Sequence, residues 1–312
     1  MVATRRTLRS SSTTAQVVED AVVPAKRAKR VKRTAKPLKS VDVDLPRPRS
    51  ADPAGRVVAA YPRLVQGQLL KRYKRFLADV QLANDEVVTV HCPNTGPMIG
   101  LLDLPLAPVQ LSISDNPKRK YAHTLEHIQV ENGSALEWVG VHSTSANGMV
   151  GTALRNGWLP EVVENRTITK IQAEVKHTQH SRIDFVVETE GPKTFYIEVK
   201  SVTLAMPGQK AVFPDTVSTR AQKHIEELIS FQSKQSSKDI QSTVLFLIQR
   251  RDCESFAPSV AHDAAFAKLC AEAHGAGVAF FAYDCELVAQ DDQGHVLLKG
   301  SVPVVFDSEA KS

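Results

Sequence analysis

The chain has 312 residues, 42% hydrophobic and 23% charged. This is the composition of a globular protein long enough for about two domains and a core without covalent staples. No run of about 18 apolar residues occurs, which excludes a transmembrane helix and any membrane partner held by one. Four scattered cysteines without a C-x-x-C pair, Cys92, Cys253, Cys270 and Cys285, argue against a disulfide framework or a cysteine zinc site. The net charge of +5 belongs to one end. Residues 1–40 carry 11 Lys+Arg against 2 Asp+Glu, net +9, and the other 272 carry 28 against 32, net −4. Any nucleic-acid binding by the body must therefore come from local patches.

Residues 1–55 show no apolar periodicity and are rich in Ser, Thr, Ala, Pro, Lys and Arg, so a disordered basic tail is predicted. Arg5, Arg6 and Arg9 among Ser and Thr resemble an organelle transit peptide. The run KRAKRVKR at 26–33 resembles a nuclear localisation signal or a nucleic-acid-binding arm. A solubilising extension is the third reading. The tail suggests a nucleus or organelle without choosing between them, and no secretory apolar segment is present, so an intracellular protein is expected.

From 56 to 142, short apolar segments alternate with turn signals: 56–61, 73–82, 86–92, 108–114 and 135–143. About five short strands predict a small antiparallel barrel of the oligonucleotide-binding (OB) type. Two clusters, Lys71-Arg72-Tyr73-Lys74-Arg75-Phe76 and Lys118-Arg119-Lys120-Tyr121, set cations beside aromatic rings, a pairing suited to phosphate contact with base stacking. Lysines that protect a solvated strand edge explain them equally well. His123-Thr-Leu-Glu126-His127 matches H-x-x-E-H, but a metallopeptidase needs both histidines on a helix. Here a helix would be very short before the Glu-Asn-Gly-Ser turn.

From 143 to 307 the pattern is α/β: a short helix at 143–157, strands at 168–177, 182–188 and 194–204, a helix near 217–232, a strand at 243–248, a helix near 260–274 and a strand at 278–284. A mixed sheet is predicted, and a tail of residues 308–312 follows. Ala221, Ile225, Leu228 and Ile229 form one apolar helical stripe. Ile183, Phe185 and Val187 should share one strand face, with Asp184 opposite. A hairpin centred on Gly191 pairs positions that sum to 382, which sets Asp184 opposite Glu198 with Lys200 projecting alongside. Two carboxylates so close need a cation between them, and Mg2+ or Mn2+ with a neighbouring lysine is a phosphodiester-hydrolysis constellation. Glu174-Val-Lys176 repeats the E-x-K pattern, so that spacing alone is weak. A retaining glycosidase pair is a further reading, but it gives Lys200 no role.

At these residues the chain resembles the sugar fermentation stimulation protein A (SfsA) family. The resemblance lies in RYKRFLADV (72–80), HCPNTGPMIGLL (91–102), SDNPKRKY (114–121), EVKHTQHSRIDF (174–185), YIEVKSVTL (196–204) and FPDTVSTRAQKHIEEL (213–228). It implies an OB-like barrel joined to a PD-(D/E)xK nuclease-like domain, and DNA rather than RNA as partner. By resemblance Asp184, Glu198 and Lys200 occupy the catalytic positions, with Asp184 and Glu198 the metal ligands. Gln222 and Lys223 lie where such folds contact substrate, and Glu161 or Thr152 would stand for the first-helix acid. Two functions follow: a Mg2+- or Mn2+-dependent nuclease, or a non-catalytic DNA-binding regulator linked to sugar metabolism.

Overall fold

The computed structural model describes residues 55–133, 135–176, 181–234, 239–290 and 292–306. Residues 1–54 of the basic tail, with both of its address signals, and the 308–312 tail lie outside them. No helix among the described residues is long and apolar enough to cross a membrane.

The first strand, β1 (Arg56–Tyr61), corrects the expected start of the barrel. It pairs antiparallel with β16 (Gln293–Val302) and forms one edge of a seven-stranded sheet. Pro62 supplies no backbone N–H and ends the strand, so the chain leaves that sheet and enters the barrel only at Leu64. Val58 and Tyr61 pack into the core under the larger sheet.

The barrel comprises β2 (Leu64–Tyr73), β3 (Leu77–Leu82), β4 (Val87–His91), β5 (Pro108–Ile113), β6 (His123–Asn132) and β7 (Ala135–Gly140), in the order β4-β3-β2-β5-β6-β7. A parallel contact of His91 with Thr124 brings β4 to β6. Val80, Val90, Val109, Leu111, Leu125, Ile128 and Val139 fill the interior and are fully buried. One expected strand divides, and one strand appears that the apolar segments did not mark. The stretch 73–82 is split by a turn at Lys74 and Arg75, both at positive φ. The H-x-x-E-H match lies on strand β6, where Thr124, Ile128 and Val130 favour extended chain. Its histidines therefore lack the helical spacing that a zinc peptidase needs.

The second domain contains α1 (Ser145–Arg155), β8 (Ile168–Lys176), β9 (Arg182–Thr189), β10 (Thr194–Val202), β11 (Leu204–Met206), β12 (Lys210–Phe213), α2 (Thr219–Lys234), β13 (Ile240–Ile248), β14 (Ser255–Pro258), α3 (Ala264–Gly275) and β15 (Ala279–Gln290). The large sheet runs β1-β16-β15-β13-β10-β9-β8, and β11-β12-β14 form a small one. β13 lies parallel to both β10 and β15, and its apolar run is buried on both faces, as a central parallel strand requires. On one face α1 buries Ala146, Met149, Val150 and Leu154 over Phe185, Val187, Ile197 and Val199. On the other, α2 and α3 bury Ala221, Ile225, Leu228, Phe266 and Cys270 over Val244, Phe246 and Ile248. All four cysteines are buried.

Candidate active site

The β9–β10 hairpin turns at Gly191, whose φ of 88° suits glycine. Its ladder runs from Thr194↔Glu188 to Ile197↔Phe185, the register expected from the sequence. The ladder pairing stops there. The Asp184 side chain reaches across instead, and Oδ2 accepts the Val199 backbone N–H at 2.7 Å. The strand twists at this point, so Ile183 joins the core under α2 while Phe185 and Val187 stay under α1. This corrects the single shared face expected for the three.

Asp184 Oδ1 accepts from Asn147 Nδ2 at 2.7 Å, which fixes the carboxylate from the first turns of α1. Glu198, 3% exposed, holds Lys200 Nζ at 2.6 Å and His224 Nδ1 on the same oxygen, Oε1. Lys200 Nζ lies 3.2 Å from that ring nitrogen. Burial, then the Glu198 charge, pushes the Asp184 carboxyl up to about 6 against the opposing Val199 N–H, Lys200 and Asn147. Burial would also raise Glu198, but the His224 hydrogen bond and the Lys200 charge outweigh it and hold that carboxyl below its usual range.

These groups line an open cleft of about 1150 Å3. Its rim carries Lys176, Arg182, Arg220 and Lys223, and its walls include Ser143, Thr144, Asn147, Phe213 and Ser218. Asp184, Glu198, Lys200 and Lys223 are thus brought together. Gln222 is not, because its amide is drawn to Asp263 at 2.8 and 3.0 Å, at the cap of α3. Neither candidate for the helix acid reaches the cleft: Glu161 accepts from Tyr283 Oη, and Thr152 Oγ1 bonds back to Gly148 O at 3.1 Å.

Four cleft residues carry no clear signal in the sequence. Asn147 lies within the short helix expected at 143–157, one polar residue among several. His224 sits at i+3 from Ala221 and i−1 from Ile225, so a histidine inside the apolar stripe was a usable signal. Glu174 and Lys176, the second E-x-K, both line the cleft. A positive φ at Glu174 turns its side chain to Asn147 at 3.4 Å.

The basic–aromatic clusters divide. Arg72 Nη2 binds the carbonyls of Arg75, Asn94 and Gly96 at 2.6–2.8 Å, and Tyr73 Oη donates to Asp79 at 2.8 Å. Both are occupied within the barrel. Lys74, Arg75 and Phe76 point outward. Lys118, Arg119 and Lys120 are exposed, with Lys120 over the Tyr121 ring and Arg119 bonded to Thr124.

The donor set suits a hard divalent cation. Such an ion takes one or two carboxylates and fills its shell with water, and Glu198 Oε2 has no hydrogen-bond partner among the described residues. No group of three His, Cys, Asp or Glu able to hold a metal occurs among those residues, so the remaining ligands would be water and substrate oxygen.

An OB barrel followed by a restriction-endonuclease-type domain defines the class of protein. Residues 70–141 match the SfsA N-terminal OB domain, and residues 144–291 match the sugar fermentation stimulation protein RE domain. The chain belongs to the SfsA family. It is 42% identical to a sugar fermentation stimulation protein homolog of Rippkaea orientalis over 218 residues, 70% of this chain and 86% of that one. It is 43% identical to a homolog of Shewanella sp. over 231 residues, 74% and 94%. The solved structure of Pyrococcus furiosus SfsA in complex with Ca2+ aligns with a TM-score of 0.67 at 22% identity, covering 80% of this chain and 99% of that one. At that identity the likeness is one of fold.

Proposed function

We propose that this chain binds nucleic acid, DNA ahead of RNA, and hydrolyses its phosphodiester backbone with the aid of Mg2+ or Mn2+. The observation that carries this reading is Asp184 and Glu198 converging from neighbouring strands, with Lys200 against Glu198, in a cleft rimmed by Lys176, Arg182, Arg220 and Lys223. Asp184 and Glu198 would hold the cation. When bound, it neutralises phosphate charge and lowers the pKa of a coordinated water. The Val199 N–H and Asn147 hold Asp184 in place for that task, while His224 fixes Glu198. Lys200 stabilises charge that builds on the phosphate, and the rim cations grip the flanking backbone. The Ca2+ complex of the Pyrococcus furiosus relative supports an oxygen-ligated cation.

One observation favours the second reading, a DNA-binding regulator without turnover. The α1 residue beside Asp184 is the amide Asn147, where a carboxylate would have added a ligand. Calorimetric titration of Mn2+ into wild type and Glu198→Gln tests the cation site on which the first reading depends. Binding to wild type, lost in the variant, is expected. No binding to either overturns the metal-dependent reading.

A further inference from the structure

The β2–β3 turn is tied to the rim of the cleft by a short series of hydrogen bonds. Arg72 holds the carbonyl of Arg75 and those of Asn94 and Gly96. Arg75 Nε donates to Thr95 O at 3.0 Å. The Cys92 N–H donates to Phe76 O at 2.8 Å. At the far end of the same loop, Ser143, which lines the cleft, donates to Pro93 O at 2.9 Å. The Cβ position of Gly96 lies 3.5 Å from Asp215 Oδ2, on the segment that leads into α2. Turn, loop and cleft wall form one contiguous surface.

That turn presents an unusual trio. Lys74 and Arg75 are held at φ of 49° and 64°, a conformation that ordinary residues adopt only where the surroundings impose it. Phe76, next in the chain, is 47% exposed. An exposed aromatic ring that follows two exposed cations, Lys74 without a hydrogen-bond partner among the described residues and Arg75 anchored through Nε to Thr95 O, is a platform for a flat π-system joined to an anionic chain. Interior bases of a duplex are stacked on both faces and offer none to it; only the pair at each blunt end has a face open.

We infer that Phe76, with Lys74 and Arg75 preceding it in the turn, stacks an unpaired base of a nucleic-acid strand whose backbone continues along the Pro93–Gly96 loop to the Asp184/Glu198 cleft. The substrate class is then a polynucleotide with a single-stranded segment, not a fully paired duplex. This rests on reading the chain as a nucleic-acid-binding protein and on no assumption about cleavage.

The test uses the full chain with divalent ions chelated, and fluorescence anisotropy of a labelled single-stranded oligonucleotide against a blunt duplex of the same sequence, in DNA and RNA forms. Phe76→Ala should weaken single-strand binding by roughly 5- to 150-fold, the range for one lost stack. Phe76→Trp should retain it, and duplex binding should not change. An oligonucleotide scanned with single abasic nucleotides should lose affinity at one position with wild type and at none with Phe76→Ala. Equal single-strand binding by wild type and Phe76→Ala, equal losses on strand and duplex, or no rescue by Trp would overturn the inference. So would a wild type that binds no single strand. With metal chelated, a chain that cleaves nothing still gives a clear result here. Binding that ignores Phe76 sinks the stacking site and leaves the broader reading standing.

Discussion

The backbone N–H of Val199 donates to Asp184 Oδ2 at 2.7 Å, at the place where the β9–β10 ladder gives out. The bond ties one carboxylate to the strand that carries the other. Glu198 precedes Val199, so the two acids cannot drift apart unless the hairpin opens.

Cation binding should depend on pH with a defined sign. Burial and Glu198 raise the Asp184 carboxyl to about 6, so below that value a cation must displace a proton. Affinity for Mn2+ should rise about tenfold per pH unit below pH 6 and level off above it. The same shift means that the folded state keeps a proton which the unfolded chain releases near 3.8. Asp184 thus costs the metal-free fold stability as pH rises from about 4 to 6, and Asp184→Asn should raise the metal-free Tm at neutral pH. Calorimetry across pH and thermal unfolding check the two halves.

Asn147 should set the strength of the cation site. Asn147→Asp places a third carboxylate against Asp184 and Glu174. It should tighten Mn2+ binding by tenfold or more while lowering the metal-free Tm. Asn147→Ala leaves Asp184 with one fewer donor and should weaken binding several-fold. Titrations of both variants under one buffer decide it.

His127 should make the fold acid-sensitive. It is 1% exposed and packs edge-on against Tyr61, and its Nδ1 has no hydrogen-bond partner among the described residues. Burial pushes its pKa down to about 4. The unfolded chain takes up that proton near 6.5 and the folded one does not, so stability is lost as pH falls between those values, by up to about 1.4 kcal/mol per unit. Urea unfolding at pH 7 and pH 5 should show a smaller acid loss in His127→Phe than in wild type.

Arg72 and Lys74, neighbours in one basic run, should behave differently. Arg72→Ala removes the clamp on three carbonyls and leaves them short of donors, which should cost about 2 kcal/mol of stability. Lys74→Ala should leave stability unchanged and reduce the slope of log affinity against log salt by about 0.7 on single-stranded DNA. Equal behaviour of the two would contradict an internal role for Arg72 and an outward one for Lys74.

The part of the site built by one hairpin was legible in the sequence, because Gly191 centres the turn and strand alternation does the rest. Asp184, Glu198 and Lys200 need only that local geometry. Asn147 and His224 come from helices 37 and 26 residues away from the carboxylates they hold, and a single polar residue has no spacing that announces a distant partner. Arg72 is ambiguous in the sequence for a related reason. A guanidinium looks the same in sequence whether it faces phosphate or three backbone carbonyls. The small sheet β11-β12-β14 escaped notice because strands of three or four residues have too few positions to show alternation. β1 suits the barrel equally well by its sequence yet joins the larger sheet, because apolar strands near a domain boundary pattern alike on either side of it.

The most direct measurement of the central claim is single-turnover cleavage of an end-labelled DNA oligonucleotide carrying a single-stranded segment, with Mg2+ or Mn2+ supplied. Wild type should cut it, with Asp184→Asn and Lys200→Ala slower by about 100-fold or more while remaining folded and able to bind. Cleavage that persists unchanged in Asp184→Asn, or that never occurs with either cation, would contradict the account.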